Sequence, residues 1–323
     1  MINIHNYKKL CNHCYSILSL DSSSISRMSI PWLHIIRKHP EGDKRYNNIF
    51  FIENSLKINF LKFSSIIKQK LLNYFFLLKS ILVKNEYWKG PKLNKNEIDF
   101  LFVSHALNKE QLKNNNDFYF GNIPNELKKQ GYQVMEIQIC HFFDNVFYKG
   151  DEIKKNFFSN LLSFSNELKI YNLMIGESNL LMNIKKKEKN IILKRLFKRA
   201  SFEAMSIGTR NNLRLYFQMK QLMSVIKPKS VITTFEGHAN EKIIFSSARE
   251  IHKKIKCIGY QHTGSFQSSN SIYRMYDYKY NPDYIFTSGN MDFKLFLNKL
   301  NNLKNIEVKV LGSSRGNFKK NNL

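Results

Sequence analysis

Cysteine is scarce in this sequence, with four residues in a chain of 323. So few cysteines, without a recognisable secretory signal, are typical of proteins kept in a reducing compartment, and we therefore expect a cytoplasmic location. Cys11 and Cys14 form a single C-x-x-C pair, CNHC. Because a structural zinc site of this kind needs a second pair of ligands, no zinc is predicted there.

Long apolar runs are also lacking. The most hydrophobic stretch, LLNYFFLLKSILV, lies between Leu56 and Lys84 and is interrupted by Lys79. It is shorter than the roughly 20 residues that a bilayer-spanning helix needs. The pattern predicts an amphipathic helix packed on the protein. The alternative is a helix lying on an anionic membrane surface, which would place the protein in peripheral contact with the inner membrane face.

Acidic residues are few, with 25 Asp and Glu against 51 Lys and Arg, for a formal net charge of +26. The lysines are spread along the chain with Asn, Ile and Phe, as an AT-rich coding sequence would give, rather than gathered into one basic groove. Anionic partners such as a nucleotide or a phospholipid surface remain open, while nucleic acid is not favoured. The basic run from Lys185 to Arg199 is expected to be a solvated helix face.

Several catalytic signatures are missing. The sequence has no phosphate-binding G-x-x-x-x-G-K-[ST] loop, no G-x-S-x-G nucleophile elbow and no H-E-x-x-H helix. A metal site built from His238, Glu241 and His262 has little support without that helix, and no metal is predicted.

The sequence is organised around the stretch from Lys229 to Ser265. An apolar run at 230–234 is followed by a helical pattern and a second apolar run at 255–260, which predicts a strand, a helix and a strand. Two strands joined by one helix pair in parallel, so their carboxyl ends share one edge of the sheet, where ligands of open parallel sheets bind. The polar residues expected at this edge are Glu236, His238, Glu241, Gln261 and His262.

Further strand patterns lie at 98–104, 133–139, 284–287 and 306–311. The alternation of these strands with helices predicts an α/β fold, a Rossmann-like doubly wound parallel sheet. Residues 1–97 are expected to form a mostly helical N-terminal extension, and residues 151–228 a helical insertion. The sheet domain is expected to span 98–315, followed by a polar tail at 316–323.

Six segments in this order, IDFLFVSH, DFYFGNIP, TTFEGHANEK, IGYQHTGS, NPDYIFTSGN and VLGSSR, resemble the N-terminal half of bacterial surface-carbohydrate biosynthesis proteins of the capsule or O-antigen type. Those proteins resemble glycosyltransferases of the two-domain GT-B type, and the similarity covers about residues 98–315. It implies an enzyme that transfers a sugar from a nucleotide sugar to a glycan or a lipid-linked acceptor, with no cofactor besides this co-substrate. The N-terminal half of such enzymes generally holds the acceptor.

The printed chain ends in GSSRGNFKKNNL, where this family would be expected to begin its donor-binding half. The resemblance therefore predicts either a truncated chain or a partner chain that supplies the donor domain. A non-catalytic basic α/β module that binds anionic ligands or a partner chain is the competing hypothesis. Transfer of glycerophosphate is a close variant of the first hypothesis.

Three residues are candidates for catalysis. Glycosyl transfer needs a base for the acceptor hydroxyl, and an unperturbed histidine, with a pKa of about 6.5, suits this role. His262, which ends a strand before a turn of small residues, is the first choice, and a strand-capping histidine is the alternative. Glu236 and Glu241 lie in the first helical turn, where the dipole lowers a carboxylate pKa. They are expected to accept hydrogen bonds from acceptor hydroxyls, although capping alone would also explain them.

A further set of polar or small residues is expected to contact substrate at the same edge of the sheet, where the carboxyl ends of the parallel strands form a rim. Ser313 and Arg315 could meet a phosphate at the boundary between two domains, and His141 ends a strand next to that of His105. The substrate-binding candidates are His238, Gln261, Thr263, Gly264, His105, Ser313 and Arg315.

Overall fold

The computed structural model describes residues 4–20, 24–34, 49, 56–83, 86–91, 97–142, 154–264, 270–300 and 305–313, with side chains of the helix at 56–80 described from residue 67 onward. Within these ranges, one sheet contains eight strands. In chain order they are β1 (Trp88–Lys89), β2 (Phe100–Ala106), β3 (Val134–Cys140), β4 (Asn156–Phe158), β5 (Ser230–Thr234), β6 (Lys256–Gln261), β7 (Tyr284–Thr287) and β8 (Glu307–Val310).

The strand order across the sheet is β1-β4-β3-β2-β5-β6-β7-β8. Neighbouring strands are parallel, except that β1 is antiparallel to β4. The chain winds outward from β2 to β4, returns to the middle, pairs β5 with the free side of β2 and continues in the opposite direction to β8. The switch point of the topology therefore lies between β2 and β5, and open parallel sheets bind ligands outside such a point.

Both faces of the sheet are covered. Successive side chains of a strand point to opposite faces, and the residues of β2 accordingly alternate between two hydrophobic clusters. Leu101 and Val103 pack into the larger cluster, and Phe100 and Phe102 pack into the smaller one. Burial on both faces explains the continuous apolar run in this strand. The expected α/β fold with a mostly parallel sheet is confirmed, and the winding of the sheet is consistent with a Rossmann-like fold.

Helices connect and cover the strands. The helix between β5 and β6 is the crossover that a parallel pair requires. Within the described residues the helices are α1 (Ile4–Leu18), α2 (Ile25–Met28), α3 (Leu56–Ser80), α4 (Glu110–Lys113), α5 (Ile123–Lys129), α6 (Phe164–Lys187), α7 (Ile191–Glu203), α8 (Ile207–Ile226), α9 (Ala239–Ile251) and α10 (Asn290–Leu300). Single 3₁₀ turns occur at Pro31–Leu33, Ser271–Tyr273 and Tyr278–Tyr280.

The six predicted strands are present, each within two residues of its expected start and end. The prediction of helix over the whole of 151–228 is wrong at β4, and β1 was not expected either. Both strands are only two or three residues long, too short to show a periodicity of two. Their pairing decides their conformation, since β4 adds to the edge of β3 and β1 then adds to β4.

The N-terminal helix α1 belongs to the same core as the sheet. Leu10, Cys11 and Cys14 on α1 are buried in the larger cluster, which also contains Val103 of β2 and Val231 of β5. Burial raises the pKa of the Cys14 thiol to about 12, so this side chain stays protonated at neutral pH. In this position the C-x-x-C pair supplies two small apolar side chains to the core.

Helix α3 turns apolar side chains outward. Along its described part Asn73 and Ser80 are buried, and the Asn73 amide donates to the carbonyl of Met205, while Leu71 and Leu78 are largely exposed. The other exposed apolar side chains of this face are Ile67, Tyr74 and Phe75, followed just beyond the helix by Ile81 and Leu82. Each helix in the described part of the chain is either too short or too polar to span a bilayer.

Candidate functional site

The turn after β5 requires a glycine. Gly237 has φ +89, and a Cβ atom there would lie 2.4 Å from the carbonyl carbon of Ser271 and 2.5 Å from the amide nitrogen of Ile272. Only glycine combines this backbone conformation with so close an approach. The turn is therefore pressed against the 3₁₀ turn Ser271–Tyr273, which places Glu236 and His238 on either side of Gly237 at the carboxyl-end rim.

Glu241 stabilises this turn through its side chain. Its carboxylate is fully buried and accepts hydrogen bonds from the backbone amides of Glu236 at 2.8 Å, Gly237 at 2.8 Å and His238 at 3.0 Å. Burial raises the pKa of Glu241 to about 7, and the His238 charge and the amide hydrogen bonds oppose that shift. With no exposed surface, this side chain positions the rim and does not touch a ligand there.

Glu236 is the centre of a charged group at the rim. Its Oε2 lies 3.3 Å from Nε2 of His238, and its Oε1 lies 3.5 Å from Nε2 of His262 and accepts a 2.7 Å hydrogen bond from Thr263 Oγ1. The His238 hydrogen bond, with help from Thr263 and His262, lowers the pKa of Glu236 to about 2 against the opposing effect of burial. Glu236 is therefore ionised throughout the physiological range.

The two histidines beside Glu236 differ in access. The His238 side chain is 42% exposed, whereas that of His262 is 7% exposed and packs edge-on against Tyr119 with ring centroids 4.8 Å apart. Burial lowers the pKa of His238, but the hydrogen bond to Glu236 and the charges of Glu241 and Glu236 outweigh it, and the pKa is raised overall. His238 is thus the more accessible of the two.

A second histidine pair lies across the switch point from this group. His105 Nδ1 lies 2.8 Å from His141 Nε2, and the Asn240 amide donates to His105 Nε2 at 3.4 Å. Because Nε2 accepts from Asn240, Nδ1 carries the His105 proton and donates it to His141. Burial, together with the neighbouring His141, His238 and His262, lowers the pKa of His105 to about 3. Burial also lowers the pKa of His141.

The remaining candidates from the sequence are placed as follows. Gln261 is buried, and its amide donates to the carbonyl of Thr263, so it shapes the turn after β6. Ser313 is exposed beyond β8, next to Gly312, whose carbonyl accepts a 3.0 Å hydrogen bond from the Tyr260 hydroxyl. Gly264 is the last described residue of its turn, and Arg315 lies outside the described residues. The structure thus groups His238 and Thr263 with the catalytic candidates Glu236 and His262, and it places His105 in the histidine pair across the switch point.

A cavity of about 330 Å³ opens beside this rim. His141, His238 and Asn240 line one side of it, and the carboxyl ends of β3 and β4 line another. Sequence reasoning missed the residues that complete the wall, because they come from the N-terminal segment, from the end of β4 and from α8. Those residues include His34, Asn160, Asn211, Asn212, Arg214 and Gln218.

No three His, Cys, Asp or Glu side chains are arranged to hold a metal ion among the residues described. Comparison of the chain with protein-family models and with curated proteins finds no match. The chemistry of this protein is therefore inferred from the rim and its cavity.

Proposed function

We propose that this chain is a glycosyltransferase of GT-B type, or the acceptor-binding half of one, acting in bacterial surface polysaccharide biosynthesis. One observation carries the proposal. An ionised carboxylate, Glu236, lies within 3.5 Å of two histidine rings at the switch point of a doubly wound sheet, beside a polar cavity. This is where open α/β sheets bind substrates, and a carboxylate-oriented histidine is a suitable general base.

In this proposal His262 removes the proton from an acceptor hydroxyl. The hydroxyl oxygen attacks the anomeric carbon of the nucleotide sugar, the bond from that carbon to the phosphate oxygen breaks, and the nucleotide leaves. Glu236 orients the His262 ring and stabilises the imidazolium that forms. His238, Thr263 and His105 contact the acceptor, and Glu241 acts only by holding the turn. No cofactor is required besides the nucleotide sugar, and where this chain acts as the acceptor-binding half, a partner chain supplies the donor domain.

The proposal is tested by transfer assays. The chain is incubated with nucleotide sugars labelled in the sugar and with a bacterial lysate, which supplies the lipid acceptor and any partner chain that carries the donor domain. Label in the lipid fraction above that of the lysate alone is measured. His262→Ala should lower transfer by about 10²- to 10⁴-fold. The exposed His5 on α1 provides the matched control, and His5→Ala should transfer normally. Equal transfer by His262→Ala would remove His262 from the mechanism, and no transfer from any donor would contradict the transferase.

A non-catalytic module that binds anionic ligands is the second candidate. It is favoured by the cavity wall, which contains Arg214 and three histidines and, among its described residues, no Asp or Glu. The two candidates differ in a simple observable. A transferase releases nucleotide from its donor in the presence of acceptor, whereas a binding module leaves both ligands unchanged.

The proposed acceptor is lipid-linked, and α3 offers the contact with a membrane. This helix contains five lysines and no acidic residue, and its described part exposes Leu71, Phe75 and Leu78. An apolar face flanked by lysines fits an anionic lipid surface. Phe75→Gln with Leu78→Gln should reduce sedimentation with anionic vesicles, and Ile191→Gln, an exposed apolar residue of α7, should not. Unchanged sedimentation of the double variant would exclude α3 as the contact.

A further inference from the structure

Two helix N-termini meet at the cavity beside the rim. Gly208 of α8, and Ala239 and Asn240 of α9, are all in the first two positions of their helices and all line the cavity. The first amides of a helix have no partner within the helix, and the helix dipole adds positive potential at this end. In α8 the N-cap Ser206 accepts from the amide of Thr209, which leaves the two preceding amides available.

The side chains behind the cavity carry positive charge in excess. Arg214, which lines it, and Arg210 are both buried, and both bind the single carboxylate of Glu167, at 2.6 Å and 2.8 Å. Two guanidinium groups against one carboxylate leave one positive charge uncompensated within this group. Because the group is buried, water screens that charge weakly.

His34 gives an independent indication of a ligand. It is 4% exposed, lines the cavity, and its Nε2 donates to the carbonyl of Met28 at 2.9 Å. Burial lowers its pKa to about 3, so the ring is neutral and Nδ1 accepts hydrogen bonds. Nδ1 has no hydrogen-bond partner among the described residues, although buried polar atoms nearly always have one. A ligand hydroxyl in the cavity would supply the missing donor.

We propose that this cavity binds a phosphate ester that also carries hydroxyl groups, such as a sugar phosphate. The phosphate lies at the N-termini of α8 and α9, near Arg214, and a hydroxyl of the ligand donates to His34 Nδ1. The volume of about 330 Å³ exceeds the roughly 30 Å³ of one water molecule about tenfold, which is room for such a ligand. The phosphorylated end of the ligand is then held beside His238, at the edge of the charged group around Glu236.

Phosphate binding in the cavity does not depend on the proposed function. The inference rests on that function only for the identity of the ligand as a sugar phosphate. Binding is measured at equilibrium, without transfer. A chain that binds phosphate but transfers no sugar therefore contradicts the transferase alone, and a chain that transfers sugar but does not bind phosphate contradicts this inference alone.

The test uses two substitutions that keep the shape of the side chain and add a negative charge. Asn240→Asp puts a carboxylate in the first turn of α9, where it favours the helix. Asn211→Asp keeps the oxygen that accepts a 2.9 Å hydrogen bond from Arg214 Nη1. Each should weaken the binding of inorganic phosphate and of glucose 1-phosphate at least tenfold, measured by isothermal titration calorimetry on the full chain.

Asn190→Asp is the matched control. Asn190 caps α7 through hydrogen bonds from the amides of Ile192 and Leu193, and it does not line the cavity. Its variant should bind phosphate as the wild type does. Glucose 1-phosphate should bind more tightly than inorganic phosphate, and glucose should bind least. Absence of phosphate binding by the wild type, equal binding by all three variants, or tighter binding of glucose than of its phosphate would each overturn the inference.

Discussion

At the carboxyl-end rim, His238 and His262 lie against the carboxylate of Glu236, whereas His105 and His141, across the switch point, hydrogen-bond to each other. The pKa of His238 is raised, and that of His105 is lowered to about 3. The two groups are built from the same residue type at the same edge of one sheet. Burial lowers the pKa of both histidines. At His238 the carboxylate partner outweighs burial, because a carboxylate stabilises the imidazolium and a second imidazole does not.

This contrast has a chemical consequence. In the group around Glu236 the raised pKa of His238 favours a protonated ring, and the carboxylate can stabilise the positive charge of a histidine that takes up a proton, as a general base must. The His105 and His141 pair stays neutral and offers only fixed hydrogen-bond donors and acceptors. We therefore expect proton transfer on the Glu236 side of the switch point and substrate orientation on the other.

The largest expected effect is loss of stability in acid. The folded-state pKa values of His34 and His105 are about 3, below the unfolded value of about 6.5, so the unfolded chain binds more protons between these limits. Stability should fall as the pH drops below 6.5, by about 1.4 kcal/mol per pH unit for the buried His34. Urea unfolding from pH 7 to pH 4 measures this slope.

His34→Asn should flatten that slope, and His5→Asn, on the exposed part of α1, should leave it unchanged. The His238 and Glu236 pair has the opposite sign near neutrality. Its raised histidine pKa gives stability that is present below pH 6.5 and lost as the pH rises through the folded-state value. A stability that does not change between pH 6.5 and pH 4 would contradict the neutral state assigned to His34 and His105.

Glu241→Gln should have the next largest effect, because it removes the support of the charged group. A glutamine side chain has one acceptor oxygen for three backbone amides, and its own NH₂ would face an amide donor. We expect a loss of about 3 kcal/mol in the free energy of unfolding. Glu250→Gln, on the same helix but with a 44% exposed side chain paired with Lys220, should cost less than about 1 kcal/mol. Equal costs for the two variants would refute the supporting role of Glu241.

Glu236→Gln should reduce the difference in pKa between His238 and His105. Loss of the carboxylate removes the hydrogen bond and the charge that raise the pKa of His238, so this pKa should fall, while that of His105 should change little. NMR titration of the imidazole protons measures both values in one experiment. An unchanged pKa of His238 would show that Glu236 does not set its charge.

His141→Ala should have the smallest effect. It removes the 2.8 Å hydrogen bond to His105, at a cost of about 1 kcal/mol in the free energy of unfolding. His141 is also one cause of the lowered pKa of His105, so this pKa should rise in the variant. The same NMR titration tests it, and a further fall in the pKa of His105 would contradict the assignment.

Much of this arrangement was predictable from local sequence. The strands that flank the switch point are apolar runs long enough to identify, and polar residues follow them directly, so Glu236, His238 and His262 were expected at one edge. The role of Glu241 was not decided, because catalysis and capping need the same residue at the same helix position. Glu241 is fully buried and accepts a hydrogen bond from the Gly237 amide, so its role is to position the turn.

By itself, the sequence determined the mostly parallel α/β sheet and the chain positions at which its rim lies, because strand and helix periodicities are local and parallel pairing follows from the crossover. Only the tertiary structure decided which residues complete the cavity and which histidines carry charge. His34, Asn160 and Arg214 approach the rim from distant parts of the chain. Protonation depends on burial and on neighbouring charges, and both arise only when the separate elements pack together.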